Sequence, residues 1–166
     1  MNCADSGLER STEIVWVVTW LLKKHVPDIS LRTNFIVGFP GETEADFKEL
    51  LQFVNEYEFD NMGVFEYFRE PGTTAHDLPK QISQKLKWER RLRLEEMQSH
   101  VIDRINKRLR GTMLEAISDG PTTGRTYKDA PDIDGQVTFT RPVPVGKIFK
   151  AKVVETDGYK RTLRPL

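Results

Sequence analysis

A chain of 166 residues, 38% of them hydrophobic, has the size of one ordinary domain or two small ones and the make-up of a soluble globular protein. Lys plus Arg and Asp plus Glu both number 25, so the net balance demands neither a nucleic acid nor an anionic membrane as partner. The single cysteine, Cys3, excludes an internal disulfide and any cluster site built from this chain's cysteines alone, and it suits a reducing compartment.

In chain order, Met1 to Arg10 shows no periodicity and reads as a loose lead-in. Ser11 is placed to cap a helix from Thr12 to about His25, with Ile14, Val17, Val18, Leu21 and Leu22 on its core face. Val15, Trp16 and Trp20 widen that stripe, so the helix either packs on more than one side or leaves an open apolar surface. The run from Ile14 to Leu22 falls well short of the roughly 20 residues that span a bilayer, and it lacks the flanks of a signal peptide. The expectation is a cytoplasmic protein with no membrane partner.

After Pro27 the segment Leu31 to Thr43 reads as a strand, a turn and a helix start. Phe35, Ile36 and Val37 form an apolar run suited to a parallel strand covered on both faces. Gly38 and Gly41 permit backbone conformations closed to other residues, and Pro40 biases Phe39 away from helix. Thr43 with Asp46 makes a variant capping box for a helix from Glu44 to Tyr57, buried through Phe47, Leu50, Leu51 and Val54. Asn61 to Phe68 is a second strand, completing a βαβ unit, and Arg69 to Pro79 is a loop at its carboxyl end. In α/β folds ligands bind at such ends, which brings Gly38 to Glu42 and the loop after Phe68 to one face. The tetrapeptide Gly38 to Gly41 is also compatible with a plain tight turn, and Tyr67 and Phe68 with core packing rather than stacking on a base-like ring.

A long helix follows from about Ser83 to Leu109, with Leu94, Met97, Val101, Ile105 and Leu109 on one face. Glu42 to Asp77 is strongly acidic and Gln81 to Arg110 strongly basic, which predicts attraction between neighbouring layers; a basic helix lying beside RNA is the less favoured reading. None of His25, His76 and His100 has the neighbours of a metal or catalytic site. Gly111 marks a boundary, beyond which short β-rich runs at Thr112–Ile117, Gly135–Phe139, Phe149–Val154 and Tyr159–Leu163 predict a small barrel with a weakly basic balance.

The string Asn34 to Phe47 (NFIVGFPGETEADF) resembles the glycine-containing strand motif of radical S-adenosylmethionine enzymes in the form used by the methylthiotransferase family. Phe65 to Thr73 is similar to that family's last barrel strand and loop, and Gly124 to Gly135 to the branch that modifies an aspartate of a small-subunit ribosomal protein. The resemblance runs from about Val26 to the C-terminus. It implies a fold class of α/β followed by all-β: the C-terminal part of a radical-SAM partial (β/α) barrel over 1–110 and a small OB-like β-barrel, the TRAM domain, over 111–166. It implies that Ile36, Gly38, Phe39, Gly41, Glu42, Tyr67 and Phe68 support the cofactor. Arg125, Tyr127, Lys128, Asp129 and Asp132 then form a substrate-facing edge, for which the plain alternative is a connecting turn.

In the complete family enzyme S-adenosylmethionine acts with two 4Fe-4S clusters, one held by a Cys-x-x-x-Cys-x-x-Cys loop that this sequence lacks. No cluster and no catalytic residue is therefore expected in this chain, and activity is expected only together with the missing N-terminal half. Met1 to His25 departs from the family pattern, which fits a truncated product, a fragment or a mis-started frame. The expected partner is the small-subunit ribosomal protein, with RNA possible. Two alternatives stand beside this reading: a non-catalytic module that binds RNA or the ribosomal protein, and a fragment of a tRNA methylthiotransferase.

Overall fold

The computed structural model describes the backbone of residues 5–131, 133–135 and 137–166, and the side chains of these from Ile14 onward. The first part of the chain contains helix α1 (Asp5–His25), strand β1 (Arg32–Val37), helix α2 (Glu44–Tyr57), strand β2 (Asn61–Glu66), a short 3-10 turn (Thr74–Asp77) and helix α3 (Gln84–Leu109). β1 and β2 pair in parallel from Arg32 opposite Asn61 to Val37 opposite Glu66. The capping box of α2 forms as expected: Thr43 Oγ1 accepts from the Asp46 amide at 3.2 Å, and Asp46 Oδ2 accepts from the Thr43 amide at 2.7 Å. Ser83 caps α3 by accepting from the Leu86 amide.

Phe35, Val37, Met62 and Val64 point from the sheet into a core shared with Phe47, Phe53, Val54 and Phe59, and with Leu94, Val101, Ile102 and Ile105 of α3. The opposite face of the sheet is open, with Ile36 61% and Phe65 57% exposed. The expectation of a strand buried on both faces is thus corrected: the described residues cover one face only. The acidic and basic halves do meet across the layers, through Arg90–Glu42, Arg93–Glu44, Arg91–Glu66 and Glu58 with Arg104 and Arg108.

Helix α1 differs from expectation in two ways. It is already helical at Asp5, so Ser11 lies inside it rather than capping it, and 5–10 is not a loose lead-in. Its docked face is also a different one. Trp16 packs on Phe53 and Tyr57, Thr19 is buried, and Lys23 donates to the Glu58 carbonyl, whereas Ile14, Val17, Val18, Leu21 and Leu22 are exposed. Both stripes have helical spacing; contact geometry, not hydrophobicity, decides which one touches the core.

The second part is a closed barrel of β3 (Met113–Ser118), β4 (Thr123–Thr126), β5 (Val137–Phe139), β6 (Ile148–Asp157) and β7 (Lys160–Pro165), in the order β3-β4-β5-β7-β6. Inward residues Leu114, Ala116, Val137, Phe139, Ala151, Val153 and Leu163 form its core. Strand β4 is not among the β-rich runs that the sequence shows. It is only four residues long and contains Gly124, where a Cβ would lie 2.2 Å from the Ile117 carbonyl oxygen and 2.7 Å from the Phe139 ring. Glycine here marks the close approach of a neighbouring strand rather than a turn.

The barrel touches the α/β part at two places. The β6–β7 hairpin tip lies on α3, where Asn106 Nδ2 donates to the Gly158 carbonyl at 2.8 Å and Tyr159 packs against the first core. Burial pushes the Tyr159 hydroxyl pKa up. The segment after β4 docks at the amino-terminal ends of β1 and β2, where the Lys128 carbonyl accepts from Ser30 Oγ and Asn61 Nδ2.

Candidate functional site

The carboxyl ends of β1 and β2 present backbone rather than catalytic side chains. Gly38 (φ +77°) and Gly41 (φ +90°) both occupy the left-handed region that favours glycine. A Cβ at Gly41 would meet nothing within 4 Å, so the Cα face of Gly41 is open to an approaching group; a Cβ at Gly38 would lie 2.4 Å from Lys87 Cγ. The turn is tied at several points. Glu42 Oε2 accepts from the Gly38 amide at 2.9 Å, the Glu42 amide donates to the Phe39 carbonyl, and the Gly41 amide donates to the Lys80 carbonyl at 3.0 Å.

The Tyr67 amide donates to the Val37 carbonyl at 2.8 Å, and the Phe39 and Tyr67 rings meet edge to face at 5.3 Å. Ile36, Phe39, Gly41 and Phe68 are exposed, Phe68 by 76%, while Gly38 is buried and Glu42 and Tyr67 are half-buried. The structure therefore brings Ile36, Gly38, Phe39, Gly41, Glu42 and Tyr67 to one end of the sheet. Phe68 sits next along the chain, without a described aromatic partner. Glu42 is not a free carboxylate, because its Oε1 pairs with Arg90 Nη1 at 2.6 Å.

Sequence reading missed Lys87 and Arg90. Both are buried, and their positions continue the core stripe of α3 toward its amino end, in phase with Leu94, Gln98 and Val101. Lys87 Nζ donates to the Tyr67 carbonyl at 2.8 Å, and Arg90 Nη1 donates to the Glu42 carbonyl at 3.2 Å as well as to its carboxylate. Charged residues at core-phase positions were the available signal, since burying a charge is tolerated only when it is paired.

This end of the sheet offers an open Cα face at Gly41, apolar faces at Ile36 and Phe39, and a buried Tyr67 hydroxyl without a hydrogen-bond partner among the described residues, a lining that could take a flat, partly apolar group. An iron–sulfur cluster does not fit. The sequence has one cysteine, against the several thiolates that such a cluster takes, and among the described residues no group of three His, Cys, Asp or Glu is placed to hold a metal.

The other candidate segment, Arg125 to Gly135, lies at the opposite end of the strands. Its exposed-edge expectation is corrected at two residues. Asp129 is buried, pairs with Arg161 Nη1 at 2.5 Å and accepts from the Thr126 amide and hydroxyl; Lys128 Nζ pairs with the buried Asp60 at 2.9 Å. Asp134 is engaged too, by Arg32 and the Ala130 amide. Arg125 pairs with Asp119, and Tyr127 is 54% exposed, so these two remain on the surface. Asp132 lies outside the described residues.

Tyr127 and Lys128 also line a cleft of about 580 Å³ between α1, the end of α3 and β3. Within it burial pushes the Glu58 carboxyl upward, but the hydrogen bonds and charges of Arg108 and Arg104 outweigh this and hold its pKa below the usual value. Lys23 is lowered, chiefly by burial. No helix among the described residues is long and apolar enough to cross a membrane.

Comparison with known proteins adds the family. The TRAM domain matches residues 110–160, the region of the closed barrel. Proteins named ribosomal protein uS12 methylthiotransferase RimO match most of the chain. The one from Elusimicrobium minutum is 43% identical over 144 residues, covering 86% of this chain and 34% of its own length. That from Acetivibrio thermocellus is 46% identical over 146 residues, covering 83% and 32%, and that from Trichlorobacter lovleyi 42% over 171, covering 95% and 38%. The chain spans about a third of the length of the curated relatives it matches. It carries the glycine turn on a βαβ unit and the TRAM barrel together, and these matches support its reading as part of a RimO-like methylthiotransferase.

Proposed function

We propose that this chain supplies the cofactor-supporting turn and the TRAM barrel of an enzyme that methylthiolates an aspartate of a small-subunit ribosomal protein. The complete enzyme would use S-adenosylmethionine and two 4Fe-4S clusters, the clusters being held outside these residues. The observation that carries the reading is the open glycine turn at the carboxyl ends of two parallel strands, in a chain whose RimO relatives are 43–46% identical over most of its length. Ile36, Gly38, Phe39 and Gly41 would face the nucleoside, with Tyr67 and Phe68 beside it. Glu42 would act through the turn. On the barrel, Arg125 and Tyr127 are, among the described residues, the members of the expected substrate edge that remain accessible.

Mass spectrometry tests this reading. The matching third of the Acetivibrio thermocellus relative is replaced by this chain, and the hybrid is expressed in cells that lack their own enzyme. A methylthio group on the ribosomal-protein aspartate is the expected product; a methylthiolated tRNA base with an unmodified aspartate would move the chain to the tRNA branch.

A second reading, docking on RNA, is favoured by how the barrel distributes charge. Asp119, Asp129 and Asp134 are taken up by Arg125, Arg161 and Arg32, whereas Lys147, Lys150, Lys152 and Arg164 make no ion pair among the described residues. Lys152 stands directly opposite Arg164 across β6 and β7, a local basic pair on an outer face that also carries Glu115 opposite Lys150. If RNA docks there, affinity for a ribosomal RNA fragment falls steeply between 50 and 200 mM salt, because each phosphate contact releases counterions. Docking on the ribosomal protein through Arg125 and Tyr127 predicts a shallow slope in the same titration.

A further inference from the structure

We propose that Arg90 and Lys87 of α3 are the positioning residues of the ligand turn: Arg90 fixes Gly38 through the Glu42 carboxylate, and Lys87 fixes the end of β2 through the Tyr67 carbonyl. The inference rests on the reading of this turn as the S-adenosylmethionine-supporting element, and it concerns two side chains that contact no part of the open surface.

Glu42 has two oxygens with two duties. Oε2 accepts from the Gly38 amide at 2.9 Å, and Oε1 lies 2.6 Å from Arg90 Nη1, whose guanidinium also donates to the Glu42 carbonyl at 3.2 Å. The Arg90 side chain is 3% exposed and that of Glu42 14% exposed, so the pair is shielded from water and its geometry is well defined. A carboxylate anchored at one oxygen by a guanidinium places its other oxygen without rotamer freedom. The Gly38 amide therefore has a fixed acceptor, and with φ at +77° the following Phe39 to Gly41 peptides are aimed rather than left free to sample.

Lys87 performs the matching task on the second strand. Its ammonium is 2.8 Å from the Tyr67 carbonyl and 5.0 Å from the Tyr67 ring centroid, and no carboxylate pairs with it among the described residues. Burying a lysine against a neutral carbonyl is an expensive way to stabilise a fold, which an apolar side chain would do more cheaply. It does pin the backbone at the end of β2. The same stem passes so close beneath Gly38 that any side chain there would collide with it, which couples the two strand ends into one rigid platform. A binding site built on backbone groups needs such support, since displacement of its backbone by about 1 Å undoes it.

The test follows the Gly38 amide by ¹⁵N NMR in this chain, with S-adenosylmethionine titrated as the probe. In Arg90→Met and in Glu42→Gln, Gly38 is expected to exchange its amide proton at least tenfold faster and the probe to bind at least tenfold more weakly. Amides at Val101 and Ile105 should keep their wild-type protection. Lys87→Met is expected to shift the Phe68 amide resonance and weaken the probe several-fold, with Lys87→Arg restoring part of the affinity. Should Arg90→Met not fold, Glu42→Gln, which keeps the side-chain volume, carries the result. Wild-type Gly38 exchange and wild-type affinity in folded Glu42→Gln would overturn the proposal. A wild-type chain that shows no probe-induced shifts, yet whose Gly38 exchange responds to Arg90, would instead reject the ligand reading and leave Arg90 as the residue that sets the turn.

Discussion

Arg161→Met is expected to lower the stability of the barrel by about 3–5 kcal/mol, because it leaves the Asp129 carboxylate buried without its counter-ion. The Asp129 and Arg161 side chains are 3% and 2% exposed, and Oδ1 lies 2.5 Å from Nη1. Asp129 Oδ2 accepts from the Thr126 amide at 2.9 Å and its hydroxyl at 2.6 Å, so two neutral donors remain after the substitution, too few to offset the lost cation. Against a typical domain stability of about 5–15 kcal/mol the loss is large. Urea denaturation followed by circular dichroism measures it. The double variant Asp129→Leu with Arg161→Met should recover most of the loss, since removing both charges also removes the unpaired one. A single variant within about 1 kcal/mol of wild type would show that water reaches the pair. Reversing the charge at Asp129 is for the same reason expected to be strongly destabilising.

The elements were legible where one local signal sufficed. Thr43 with Asp46, the glycines at 38 and 41, and the period of α3 through Leu94, Val101 and Ile105 each fix their own stretch of chain, and each is found where the sequence put it. What failed depends on contacts between segments distant in sequence. The stripe of α1 through Ile14, Val17, Val18, Leu21 and Leu22 has better hydrophobic periodicity than the one through Trp16, Thr19 and Lys23. The latter docks because Phe53, Tyr57 and the Glu58 carbonyl are there to meet it. Gly124 carries no local strand signal because its purpose, room for the Ile117 carbonyl and the Phe139 ring, exists only once the barrel closes.

The candidate site divides along the same line. Its backbone part is local, so Gly38, Gly41 and Glu42 were found from sequence. Its supports, Lys87 and Arg90, lie more than forty residues further along, among the many bases of a helix whose charge predicts attraction to the acidic layer without singling out which residues are buried. The 125–135 segment shows the converse. Lys128 and Asp129 have the composition of a recognition loop, yet their partners Asp60 and Arg161 lie 68 and 32 residues away and draw them inward.

Lys128→Met is expected to loosen the barrel from the α/β part while leaving the barrel itself folded. Asp60 is 4% exposed at the amino-terminal end of β2, where its Oδ2 accepts from the Leu31 amide at 3.0 Å and its Oδ1 takes the Lys128 ammonium at 2.9 Å. Without that ammonium the docked state buries a carboxylate with one backbone donor and only the Lys23 charge nearby, a penalty of at most about 3–5 kcal/mol that undocking relieves by admitting water. Among the described residues the remaining ties include the contact of Arg32 with Asp134, the hydrogen bonds from Ser30 and Asn61 to the Lys128 carbonyl, the hairpin tip at Gly158 and Tyr159, and the hydrogen bonds of Arg110 to Thr156. Hydrogen exchange should therefore accelerate at Leu31 and Asn61 and along the α3 face beneath Tyr159, whereas Ala116 and Val153, inside the barrel's own core, keep their protection. Lys128→Arg keeps the charge and should restore part of the docking. Uniform loss of protection in both parts of Lys128→Met would mean that barrel and α/β unit fold as one cooperative body, and unchanged exchange at Leu31 would mean that Asp60 is served by water rather than by Lys128.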